Sequence, residues 1–183
     1  MEKHPLHKRI GKLIDEEVSD LSGIEVIKDP ACGGSQNIPL FCSRDKSNRT
    51  EYCNVDLLIL KNKKVKVIVE IEESNILPTQ ICGKFLTSAL SVFFIHVSGN
   101  IHGNEAPEPI GMDESVLFVQ FLDTSTLKMD KTSKIEQWDN ISNSIQGIIP
   151  VANSKIDSYK LFSGDLETFD GKPLVDSIKE YLQ

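Results

Sequence analysis

Residues 55–61 (VDLLILK) and 64–72 (KVKVIVEIE), separated by Asn62-Lys63, decide the fold. Both runs are β-branched and aliphatic around a turn-forming dipeptide, which predicts a β-hairpin. Alternation puts Val65, Val67, Val69 and Ile71 on one face of the second strand. Lys66, Ile68, Glu70 and Glu72 take the other. The centres of both strands are apolar on each face, the pattern of inner strands of a sheet covered on both sides. Glu70 breaks that pattern, because a carboxylate in such a run is costly without a partner.

Antiparallel pairing brings Asp56, at the start of the first strand, beside the end of the second. Glu70 and Glu72 lie two residues apart there, roughly 6–7 Å along one face. Three acids so close raise one another's pKa and repel unless a cation joins them. Oxygen ligands of this kind select a hard ion, Mg²⁺ above all. Hairpin parity sharpens the expectation. A strict two-residue turn at Asn62-Lys63 sets Asp56 opposite Val69, so opposing Glu70 requires an odd loop or a bulge. Asp56 also suits a strand-initiating residue that binds a loop amide, and Glu72-Glu73 also suits a polar strand end.

Working outward, Leu6, Ile10, Leu13, Ile14 and Leu21 fall within roughly 60° of one line on a helix of about 100° per residue. Glu17 lies inside that stripe. Residues 24–28 and 40–42 are expected as short strands, with turn-rich sequence at 29–39 and a polar loop up to residue 48. Pro78 opens a predicted helix to Leu90. Residues 92–97 and 116–122 are expected as buried strands with a loop at 98–114 between them. Residues 135–145 and 174–182 show helical spacing, and 147–170 has no clear pattern. The order is helix, strands, helix, strand, strand, an α/β arrangement with a mixed sheet flanked by helices. The chain divides into a core at 1–124 and a lobe at 125–183 packed on it.

The length of 183 residues and the 39% hydrophobic content suit a globular domain and exclude a disordered chain. The net charge of −7 is uneven. Residues 1–100 hold 13 Lys/Arg and 13 Asp/Glu, while residues 101–183 hold 7 and 14. This argues against coating of nucleic acid by bulk charge, but leaves room for local basic surface on the first half. Cys32, Cys42, Cys53 and Cys82 have no metal-finger spacing and read as reduced thiols. The charged N-terminus lacks a secretory apolar run, and residues 76–101 are too polar for a membrane span. A cytoplasmic protein without membrane contact is expected. His4 and His7 read as unliganded residues near the terminus, and His96 as a core histidine.

The succession VDLLIL, nine residues, then EIE followed by a helix resembles the core of the PD-(D/E)xK nuclease superfamily. Its restriction-endonuclease-like fold is built as α-β-β-β-α-β, and here a C-terminal α/β extension would follow. Val55 stands where that pattern has Pro, and Glu72 replaces the Lys. Glu-x-Glu is a variant found in BamHI-type restriction endonucleases. The likeness covers roughly residues 6–98 and includes Asn75 and the helix residue Lys84. Glu17 matches the accessory acid that many members carry.

The resemblance implies an endonuclease acting on DNA in restriction or repair, with RNA as the other polymer open to the same chemistry. Asp56 and Glu70 would bind Mg²⁺, or Mn²⁺ in its place, and Glu72 would orient or deprotonate the attacking water. Lys84 would replace the missing ammonium, and Gln80 and Glu17 would support the site or a second metal. Cutting both strands of a duplex implies a homodimer. The alternative is a non-catalytic binding or assembly module that keeps the nuclease-like fold, with the lost Lys as the sign of decay.

Overall fold

A computed structural model describes residues 4–74, 76–96, 108–125, 127, 131–167 and 169–183. The chain folds as an α/β protein with a mixed, open, eight-stranded sheet between helices. The order is α1 (Pro5–Val18), β1 (Ile24–Lys28), β2 (Pro39–Phe41), β3 (Glu51–Asn54), β4 (Leu57–Lys61) and β5 (Lys64–Glu72). Then follow α2 (Pro78–Ala89), β6 (Phe93–Phe94), β7 (Ile110–Asp123), α3 (Lys131–Ile148), β8 (Ile156–Gly164) and α4 (Lys172–Leu182).

The hairpin β4–β5 forms as the sequence predicts and lies inside the sheet, between antiparallel β1 and parallel β7. Asn62 and Lys63 close it with φ of 51° and 64°, two successive left-handed residues. This is the backbone of a two-residue turn whose twist matches the strands. The irregularity that parity requires lies within the strand. Leu60 pairs with Val65 but Ile59 pairs with Val67, so Lys66 is the extra residue of a bulge. Continuing the shifted register past Leu57 and Val69 sets Asp56 opposite Glu70.

The bulge also corrects the expected face of Val65. It joins the core on the α2 and α3 side with Leu58, Leu60 and Ile68, whereas Val67, Val69 and Ile71 face α1 and α4. Burial on both sides explains the near-continuous apolar sequence of β4 and β5. The first core is closed by Ile81, Phe85 and Ala89 of α2 and by Trp138 and Ile145 of α3. The second is closed by Leu6, Ile10 and Ile14 of α1 and by Leu174, Ile178 and Leu182 of α4.

Three elements depart from the sequence reading. Strand β3 is a short, half-buried run, EYCN, that pairs with β2 where loop and hairpin were expected to meet. Strand β7 begins at Ile110, inside the predicted 98–114 loop; the rest of that loop, from 98 to 107, lies outside the described residues. Its first residues pair with β6, and its later ones lie between β5 and β8. Residues 125–183, expected as a lobe on the core, supply β8 to the same sheet and side chains to both cores. No disulfide joins the four cysteines. No helix among the described residues is long and apolar enough to cross a membrane.

Lys63 carries a Cβ in a left-handed conformation, a cost of roughly 1–2 kcal/mol that glycine avoids. Lys63→Gly is expected to stabilise the protein by about 1 kcal/mol, read as a higher urea midpoint at unchanged slope. An unchanged or lower midpoint would contradict the turn assignment.

Candidate functional site

The end of the hairpin, the first turn of α1 and the middle of α2 meet around a group of acids. Asp56 is fixed by its backbone on both sides. Its carbonyl accepts from the Asp29 amide at 2.9 Å. Its Oδ2 accepts from the Ile71 amide of β5 at 2.7 Å. This is the amide contact expected of a strand-initiating Asp, and it leaves Oδ1 without the same commitment. Glu70 points to the α2 side and is fully buried. Its Oε2 accepts from Lys84 Nζ at 3.0 Å, and Oε1 has no hydrogen-bond partner. Glu72, two residues on, is half-buried on the same face.

Lys84 therefore reaches the acids, as its place on the helix implied. Gln80, one turn earlier, does not: its exposed Oε1 caps the Leu77 amide at 3.0 Å. Glu17 also stays apart. The buried line of α1 runs through Leu6, Ile10, Gly11, Ile14 and Val18. Gly11 packs so closely that an added Cβ would meet the Cys32 carbonyl at 2.4 Å. The helix is thus rolled toward that loop, and Glu17 emerges near α4 to pair with Lys179 at 2.5 Å. Ten positions apart on a helix rising 1.5 Å per residue, Glu17 and His7 are separated by about 15 Å along the axis. Asn75 lies outside the described residues.

Several residues of this region were not singled out from sequence. His7, read as a terminal residue, is buried; its Nε2 lies 3.6 Å from Asp56 Oδ2 and its Nδ1 3.2 Å from Glu73 Oε1. Glu73 caps α1 across the chain, accepting from the Leu6 and His7 amides at 2.6 and 2.9 Å. Gln120 of β7 pairs in register with Glu70, is fully buried, and accepts from Tyr159 Oη at 2.7 Å while its Nε2 has no partner. A glutamine within VLFVQFL carries the same signal as Glu70, a polar residue in an apolar strand. His96 is half-buried and packs edge-on against Phe94.

Electrostatics follow from burial. Glu70 is pushed well above the usual carboxylate range, first by burial and then by the Asp56 charge, with Lys84 opposing. Burial likewise raises Glu72, against the pull of Lys84. Burial works to lower Lys84, but Glu70, Asp56 and Glu72 outweigh it and carry the ammonium up to about 12. Asp29 is raised as well, chiefly by burial. Asp56, Glu70 and Glu72 thus share one lysine, a shortage of positive charge.

The residues able to hold a hard divalent ion are Asp56 and Glu70, and the orphaned Oε1 of buried Glu70 fits that role. The three acids are spread more widely than a neighbouring group. Among the described residues, His4, His7 and Glu73 are the three whose potential ligand atoms all lie within 4.8 Å of one another. Comparison with models of known protein families, with curated proteins and with solved structures gives no match.

The raised pKa of Glu70 has a stability consequence. The folded state holds this proton more tightly than the unfolded chain, so the contribution is complete below the ordinary value near 4.5 and is lost as pH rises through the folded-state pKa. Without divalent ions, melting of the wild type is expected to fall from pH 5 to 8 more steeply than that of Glu70→Gln. Each kcal/mol of difference would appear as about 2–4 °C. A wild type whose melting temperature falls in parallel with that of Glu70→Gln, or less steeply, would refute the assignment.

Proposed function

We propose that this protein is a Mg²⁺-dependent endonuclease that hydrolyses phosphodiester bonds of DNA. The observation that carries the reading is the Lys84–Glu70 contact at 3.0 Å beside Asp56, with the second Glu70 oxygen buried and unpartnered. It joins residues from the start of β4, the end of β5 and α2, in the order helix, strands, hairpin, helix, strand that supports a restriction-endonuclease-like core. A metal-binding acid pair, a further acid and a lysine are the functional groups that phosphodiester hydrolysis needs.

Mg²⁺ held by Asp56 and Glu70, or Mn²⁺ in its place, would polarise the scissile phosphate and make water a better nucleophile. Glu72, whose proton affinity is raised by burial, accepts the proton of the attacking water. Lys84, charged throughout the neutral range, turns its ammonium to the phosphate oxygens where negative charge develops. Asp56 stays in place for this because the Ile71 amide holds it. A cytoplasmic restriction or repair enzyme acting as a homodimer fits the reading, with RNA as the competing substrate.

One observation favours the non-catalytic module instead: the same ion pair neutralises Glu70 without any metal. A cleavage assay on supercoiled, linear duplex and single-stranded DNA, with RNA alongside, separates the two. The enzyme reading expects Mg²⁺-dependent cutting that falls about a thousandfold in Glu70→Gln, equivalent to about 4 kcal/mol. Lys84→Met is expected to lose about a hundredfold, with both variants folded by circular dichroism. Absence of metal-dependent cutting on every substrate, or equal cutting by Glu70→Gln, would leave the binding module as the function.

A further inference from the structure

The face of His7 turned away from the acids has its own chemistry. His4 precedes α1, His7 lies in its first turn and Glu73 follows β5, so the three converge from segments distant in sequence. Their rings and carboxylate are close: His7 Nδ1 is 3.2 Å from Glu73 Oε1, and His4 Nδ1 is 3.5 Å from Glu73 Oε2. The two imidazoles stand edge to face with centroids 5.2 Å apart.

His7 Nδ1 is the informative atom. The side chain is only 9% exposed, yet this nitrogen has no hydrogen-bond partner. Glu73 Oε1 is near enough, but it already accepts from the Leu6 and His7 amides, and the approach of Nδ1 is not aligned for a third bond. The other ring nitrogen faces the Asp56 carboxylate at 3.6 Å. With an ion on Nδ1, the single proton of the neutral ring sits on Nε2, toward Asp56. That arrangement is typical of a histidine that binds a metal. Here the Nδ1 lone pair is buried and faces a second imidazole and a carboxylate.

We propose that His4, His7 and Glu73 bind a zinc-class divalent ion at a site separate from the Asp56–Glu70–Glu72 acids. Two imidazoles and a carboxylate suit a borderline ion such as Zn²⁺ better than Mg²⁺, with a fourth position left for water. Bonds of about 2.0–2.1 Å in a tetrahedral site put ligand atoms about 3.4 Å apart. The two distances to Glu73 are already close to that. The widest gap among the ligand atoms, 4.8 Å at most, closes by a small rotation of His4, whose side chain is 55% exposed. The ion would tie the start of α1 to the end of β5 and, through His7, hold Asp56 in place.

The test uses the full chain, stripped with chelator and titrated with Co²⁺ as a spectroscopic probe and with Zn²⁺ as competitor. The expected result is one Co²⁺ per chain that gives the strong visible absorption of a low-coordinate site and that Zn²⁺ displaces, apart from any Co²⁺ held weakly by the oxygen-only acids. His4→Ala, an exposed change that does not threaten folding, is expected to lose the band, whereas Glu70→Gln keeps it. No band in the wild type, a band that survives His4→Ala, or one lost in Glu70→Gln would overturn the proposal. Because the readout is absorption, none of these outcomes depends on whether the protein cuts DNA.

Discussion

Burial of one carboxylate organises this molecule. Glu70 lies near the end of a strand with neighbours on both sides and helices above and below, where water cannot solvate it. Everything around it answers that cost. Lys84 reaches down from α2, Asp56 is positioned by a bulged register, and Gln120 sits alongside on the next strand with Tyr159 fixing its carbonyl. Replacing such a group with an aliphatic residue would be the simple route to a stable sheet. Here the carboxylate stands in the sheet with one oxygen, and one neighbouring amide nitrogen of Gln120, without a hydrogen-bond partner.

Much of this was legible in the sequence, for specific reasons. The hairpin announced itself through two β-branched runs around Asn62-Lys63, and Glu70 through its isolation among valines and isoleucines. Placing Asp56 opposite Glu70 required, by parity, the irregularity that Lys66 supplies. Lys84 was reachable because Pro78 fixes where α2 begins, and so where its second turn points. Glu17 misled because spacing gives a stripe but not its centre. Gly11 against Cys32 sets the roll of the helix, and a glycine does not stand out in a hydrophobic pattern.

What stayed illegible was mostly long-range. Nothing local in residues 147–170 says that β8 will pair with β7, since its half-polar composition reflects an edge position. Nor does position near a terminus reveal that His7 is enclosed, because its burial comes from Glu73 and Asp56, nearly 50 residues or more downstream. The capping of α1 by Glu73 is a tertiary contact, invisible to rules that seek a cap beside the helix.

Strand β7 spends its length twice, first beside β6 and then beside β8, while β5 flanks it on the other side. The bulge in the hairpin has a similar economy. Its extra residue is also put to use: the Lys66 ammonium reaches the Ser115 carbonyl at 2.9 Å and lies over the Tyr181 ring, so the insertion that realigns the acids also pins β5 to β7 and α4.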